Sequence, residues 1–260
     1  MPFLHSNIRF IWASFGCLFF LLWISSCKKE ETAPQNTEAP VSVLPSGIVS
    51  SYDALFAVFQ TKNKGQKGYS TAAPNSFAYY SSKTIYNEAY SAADLISMGE
   101  VRLNGIRFRN KSSVQNYYND STSQFFNSPH NWKVEGTAQV DSFYYSNTET
   151  GPVFLGETDL PDSLRIAQGL NFTLKKLSHY DLAYVFLMGN SGSTVYPSKL
   201  LVAGDSIVYF SPEQLNGLVP GDQCYFNIQF YKDRPRQING KKIVFREGLS
   251  YTNFSFKIKK

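Results

Sequence analysis

Apolar and polar residues alternate with a period of two through many short segments of the chain, the pattern of strands whose successive side chains point to opposite faces. Residues 223–232 show it most cleanly: Cys224, Phe226, Ile228 and Phe230 fall on one face, and Tyr225, Asn227, Gln229 and Tyr231 on the other. Phe254, Phe256 and Ile258 are likewise expected to share a face, and Trp132 and Val134 to turn inward while Lys133 and Glu135 turn outward. Asn104-Gly105 is a pair that favours the type I′ turn, so residues 100–109 predict a hairpin. It pairs Leu103 with Ile106, Arg102 with Arg107, Val101 with Phe108 and Glu100 with Arg109. That register gathers Val101, Leu103, Ile106 and Phe108 on a buried face. Glu100 then lies among the arginines of the other face and relieves part of their repulsion.

Further strands are expected over 54–61, 77–81, 137–145, 170–174, 182–188, 199–202, 206–210, 242–246 and 251–258. Residues 62–70 read as a loop, 92–98 as a short helix, and 110–131 as a long loop or edge strands. Ser211-Pro212-Glu213-Gln214 has an N-cap Ser, Pro at the first helical position and Gln at the third, so a single capped turn should carry Leu215 as a plug. Short strands this closely spaced predict an all-β protein built of immunoglobulin- or fibronectin-like β-sandwich modules. The expected organisation is a leader over 1–26, a flexible tether over 27–49, an N-terminal β-rich region over 50–135 and a C-terminal β-sandwich over 136–260.

The composition agrees: 43% hydrophobic, 16% aromatic and 17% charged residues in a chain of 260 exclude a disordered polyelectrolyte and a coiled coil. Phe10–Ile24 is an apolar run preceded by Arg9 and interrupted only by Ser14 and Gly16. As a helix it would reach ~22 Å, short of the ~30 Å hydrocarbon core, so it reads as a secretory leader rather than a membrane span. Its end, Ile24-Ser25-Ser26-Cys27, resembles the lipobox of bacterial lipoproteins. The resemblance implies cleavage before Cys27 and lipidation of that residue, with several acyl chains making the attachment durable. Lys28-Lys29-Glu30-Glu31 is similar to the export signals of surface lipoproteins from Bacteroidota, which implies display on the outer leaflet of the outer membrane. Residues 32–47 contain three Pro and no aromatic residue, and as a coil would hold the globular part ~20–25 Å from its anchor. The layout as a whole resembles the surface lipoproteins of that phylum.

With Cys17 in the leader and Cys27 lipidated, Cys224 is the last cysteine. No intramolecular disulfide is then available, and Cys224 is expected in the core that must hold the domain together. Residues 231–260 hold nine basic residues against two acidic ones, Asp233 and Glu247. This predicts either a positive surface suited to an anionic glycan, a phosphate or an acidic partner, or strands guarded against edge-to-edge pairing. The candidate ligand surface comprises Arg234, Arg236, Lys241 and Lys242 with Tyr225 and Tyr231. The doublets Tyr79-Tyr80, Tyr117-Tyr118 and Tyr144-Tyr145 should each send one ring to each face, the outward ring being free to stack on sugars.

Beyond the leader only His130 and His179 occur, neither at a metal-ligand spacing, and Gly189–Ser193 lacks the closing glycine of a nucleophile elbow. No catalytic residue, metal, cofactor or nucleic-acid partner is therefore expected. The expected protein is a non-catalytic binding or adhesion module, held to the membrane by its lipid and facing a glycan or an outer-membrane protein. The alternatives are a hydrolase using carboxylates from distant strands and a structural subunit of an outer-membrane complex.

Overall fold

The structure, a computed structural model, describes residues 51–72, 75–86, 89–111, 115–119, 129–189, 197–221 and 223–259. The leader, Cys27, the Lys28–Glu31 tract, the tether and most of the Gly189–Ser193 turn lie outside the described residues. In the first half the strands are β1 (Ser51–Gly65), β2 (Gly68–Thr71), β3 (Asn75–Tyr86), β4 (Leu95–Ile96), β5 (Val101–Leu103), β6 (Ile106–Arg107), β7 (Arg109–Lys111), β8 (Asn116–Asn119) and β9 (His130–Val134). Next come β10 (Phe143–Asn147), β11 (Val153–Phe154), β12 (Ser163–Arg165), β13 (Leu170–Thr173), β14 (Leu177–Ser178), β15 (Leu182–Gly189), β16 (Ser198–Val202), β17 (Ile207–Phe210), β18 (Gln223–Ile238) and β19 (Lys241–Lys259). The protein is all-β, and its sheets pack in layers.

An eleven-stranded mixed sheet runs in the order β16-β15-β18-β19-β1-β3-β8-β7, with β2, β4 and β12 attached at its margins. Its axis is the hairpin of β18 and β19, closed by Asn239-Gly240 with φ of 51° and 75°, the left-handed pair that a type I′ turn requires. β1 then pairs with β19 in parallel, Ala54 opposite Ile243 through Asn63 opposite Thr252. A four-stranded sheet, β10-β9-β5-β6, and two small sheets, β11-β14 and β13-β17, make up the other layers.

One face of the large sheet supports two cores. Near the β18-β19 turn, Phe56 meets Trp132 and Phe143 edge to face, and Ile243 and Phe245 join the residues of the four-stranded sheet. Towards the other end, Phe226, Phe230, Tyr251 and Phe256 pack with Phe154, Phe172, Phe210 and the plug Leu215. Arg234 and Glu247 lie between, 3.3 Å apart and almost fully buried. Asp233 and Arg246 form a second buried pair on the opposite face, bidentate at 2.7 and 2.8 Å.

Several expectations are met in detail. Asn104 and Gly105 have φ of 50° and 81°, Leu103 pairs with Ile106, Arg102 pairs with Arg107, and Glu100 bridges Arg102 and Arg107. Ser211 and Gln214 exchange side-chain and backbone hydrogen bonds as a capping box does. Cys224 is fully buried, and Trp132 and Val134 face inward.

Others are corrected. The chain crosses from one layer to the other at Phe108, so Arg109 starts β7 in the large sheet rather than pairing with Glu100, and Ile106 is left on an edge strand, 39% exposed. Residues 62–70 extend β1 and turn through Gln66-Lys67 into β2 instead of forming a loop. The short helix shrinks to one 3-10 turn, Ala92–Asp94, and 242–246 and 251–258 are parts of one strand. A β-bulge breaks the shared face of Phe254, Phe256 and Ile258. Cys224 pairs with Phe256 but Phe226 with Asn253, so β19 spends one residue more than β18. Asn253 holds the bulge by accepting from the backbone and hydroxyl of Ser255, and Phe254 turns to the opposite face. The boundary at 135/136 falls between β9 and β10, which are hydrogen-bonded neighbours.

Candidate functional site

On the second face of the large sheet, Tyr52, Leu55, Tyr79, Ile85, Leu95 and Val244 form a small cluster near β3 and β4. Beside it lies an open groove of about 690 Å³ over β18, β19, β1 and β3. That volume is within the ~300–1,000 Å³ of sites that hold small molecules. The groove follows from strand alternation: Tyr225, Asn227, Gln229 and Tyr231 are the β18 residues whose neighbours fill the core on the other side. The middle strands β1 and β19 contribute small polar side chains, Thr61, Asn63, Ser250 and Thr252, as well as the rings of Phe59 and Phe254, and further rings stand on β3 and β18 at either side.

Aromatic residues cross one end of the groove in a row. Phe59 stacks on Phe77 at 5.6 Å and meets Tyr231 edge to face at 5.9 Å; Phe77 continues to Tyr79 at 6.2 Å, and Tyr79 to Tyr90 at 4.7 Å. The Phe59 ring occupies the place that a side chain at Gly248 would need. Tyr225 and Phe254 meet at 5.2 Å at the other end, with Phe186 continuing the row behind Tyr225. Tyr231 lies six positions beyond Tyr225, about 20 Å along a strand. Phe254 and Tyr90 are 58% and 45% exposed, which makes them the rings most open to a ligand.

Asn227 sits between these two ends, only 1% exposed. Its amide nitrogen donates to Ser250 Oγ at 2.9 Å and Thr252 Oγ1 at 2.7 Å, and its buried Oδ1 has no partner. Asn63 Oδ1, also in the lining, is buried and unpartnered in the same way. Buried amide oxygens without a donor are uncommon because losing water uncompensated is costly, about 1–3 kcal/mol each. Two of them in one groove leave acceptors to which a group with donors could bond.

Among the described residues Arg246 is the one lining residue of formal charge, and its bidentate bond to Asp233 neutralises it while its guanidinium rests 4.9 Å over the Tyr231 ring. No Asp or Glu among the described residues lines the groove, and no cluster of metal-ligating side chains occurs among them.

Of the six residues expected to form one ligand surface, the structure brings only Tyr225 and Tyr231 into the groove. Arg234 lies on the core face, donating to the carbonyls of Glu149 and Thr150 and to the Glu149 carboxylate, besides facing Glu247. Arg236 is on the same face, over the Tyr145 ring at 5.5 Å. Lys241 and Lys242 flank the Asn239-Gly240 turn, and the Lys242 backbone N–H donates to Asp53. Part of the positive balance of the C-terminal segment is thereby consumed inside the fold. Alternation alone marked Asn227 and Gln229 as companions of the two tyrosines. Phe59 and Phe77 come from strands whose neighbours no local pattern reveals, whereas Ser250 and Thr252 lie on β19, joined to β18 by the Asn239-Gly240 turn.

No protein-family model matches the chain, and no curated protein matches it either. Among the described residues no helix is long and apolar enough to cross a membrane.

Proposed function

We propose that the protein is a lipid-anchored binding module of the bacterial cell envelope, which holds a glycan in the groove without transforming it. The attachment rests on the lipobox-like Ile24-Ser25-Ser26-Cys27, and surface display on the Lys28–Glu31 tract that follows it. The binding role rests above all on Asn227, a buried amide with an unpaired oxygen in a groove bounded by aromatic rings. Rings that meet the C–H face of a sugar while amides and hydroxyls meet its hydroxyl groups are the two kinds of contact such a ligand needs. That none of the described lining residues is a carboxylate supports binding rather than hydrolysis at this site.

Two measurements on cells producing the full chain test this reading. Metabolic labelling with palmitate should mark the protein and be lost in Cys27→Ser. Glycan-array binding by the labelled protein should be lost in Tyr225→Ala and Phe254→Ala. Labelling that survives Cys27→Ser removes the anchor, and array binding indifferent to both aromatic substitutions removes the site.

A further inference from the structure

The charge and hydrogen-bond balance of the groove says which glycans it takes, an inference that rests on the glycan reading above. An acidic sugar or a sulfate ester needs a cation it can reach. Arg246 is the only cation among the described lining residues, 6% exposed, with its guanidinium held by both Asp233 oxygens and covered by the Tyr231 ring. Releasing it would strand the Asp233 carboxylate, itself 2% exposed, in the interior. Arg234 and Arg236 project to the other face of the sheet, out of reach. The other polar groups described in the lining are uncharged, and its two buried side-chain atoms without a partner, Asn227 Oδ1 and Asn63 Oδ1, are acceptors. An anionic group placed beside them would meet like partial charge, whereas a sugar hydroxyl donates to them.

An extended peptide fits less well. Peptides that join a sheet pair with an unpaired strand edge, but the groove lies on the face of strands whose backbone groups are engaged in the β18-β19, β19-β1 and β1-β3 ladders. We propose that the groove selects an uncharged glycan, its sugar rings against Phe254 and Tyr90 and its hydroxyls donating to Asn227 and Asn63.

The test is native affinity electrophoresis of the full-length protein in a polyoxyethylene detergent, which carries no sugar headgroup. The gels contain neutral polymers (mannan, dextran, xyloglucan, β-glucan), anionic ones (polygalacturonate, chondroitin sulfate, heparin) or gelatin. Retention by at least one neutral polymer is expected, changing less than twofold between low and 0.5 M salt because no ion pair is screened. Phe254→Ala and Tyr90→Ala, both at exposed positions, should weaken it tenfold or more. Asn227→Ala should do the same, with its melting curve recorded beside it; if that variant fails to fold, the two aromatic variants carry the result.

Groove-dependent retention on the anionic polymers alone, falling steeply with salt, would overturn the neutral selection and leave the glycan site standing. Retention of gelatin alone, or of no polymer at all, overturns both readings. Polysaccharide retention that ignores all three substitutions does so as well.

Discussion

Gly248 stands in the middle of the longest strand, and a Cβ there would overlap the Phe59 ring. A glycine inside a strand ordinarily weakens it, but here a neighbouring aromatic ring fills the place of the missing side chain. Gly248→Ala should therefore destabilise by about 1–3 kcal/mol, the cost of overpacking, and disturb the stacked Phe59-Phe77 pair. Urea denaturation measures this, and a midpoint equal to the wild type would show that Phe59 can move freely. Cys224 gives a second residue-scale expectation. Burial pushes its thiol up to about 11 from an ordinary value of 9.0. The folded protein thus keeps the proton over a range in which the unfolded chain loses it. The stability associated with Cys224 is intact below pH 9 and declines as the pH rises towards 11. Native protein at pH 8 should resist a thiol-reactive disulfide reagent until unfolded, and Cys224→Ala should flatten the fall in melting temperature between pH 9 and 11. Rapid labelling of the native state would refute the buried placement.

At the scale of elements, β18 and β19 are the strands on which both cores, the groove and both buried ion pairs depend. Arg234 and Glu247 interrupt the apolar face between the cores, and a side chain at Gly151 would collide with the Glu247 carboxylate. Removing one partner strands a buried charge, so Arg234→Met should cost about 3–5 kcal/mol. Adding Glu247→Leu should recover most of that loss, since a buried pair is nearly balanced by its own desolvation. A double-mutant cycle by denaturant titration decides it, and additive losses would contradict the coupling. This arrangement also explains what was legible in the sequence. Period-two alternation in residues 224–231 separated the core face from the groove face correctly, because both faces of β18 have a definite environment. Asn104-Gly105 disclosed its hairpin for the same local reason, and Asn239-Gly240 carried an equal signal for the longest one. The expected ligand surface fails at Arg234 because an arginine looks exposed in a sequence until its partners are known. Glu149 lies 85 residues from Arg234. Phe254 was misassigned because one bulged residue reverses the side of every residue after it.

For the whole molecule, the decisive contact is the parallel pairing of β1 with β19, which joins Ala54 to Ile243 across nearly the full described chain. β1 has β3 on its other side, so the large sheet joins a block of strands from the second half to a block from the first at β19-β1, and β10 of the second half adds to β9, β5 and β6 of the first in the four-stranded sheet. Residues 50–135 alone would leave one edge of β1 bare. Residues 136–260 alone would expose the edge of β19 along with the core residues that Phe56, Trp132 and Val134 cover. Such edges pair indiscriminately, so each half made separately should be unfolded or aggregated, while the full chain should melt in one cooperative transition. Differential scanning calorimetry of the full chain should give equal calorimetric and van't Hoff enthalpies. Two resolved transitions, or a dispersed amide spectrum from residues 136–260 alone, would mean that the halves are independent. The groove gives that experiment a functional readout, since its β18-β19 side and its β1-β3 side come from opposite halves of the chain. Ligand binding should therefore be absent from either half and appear only where β1 has docked against β19.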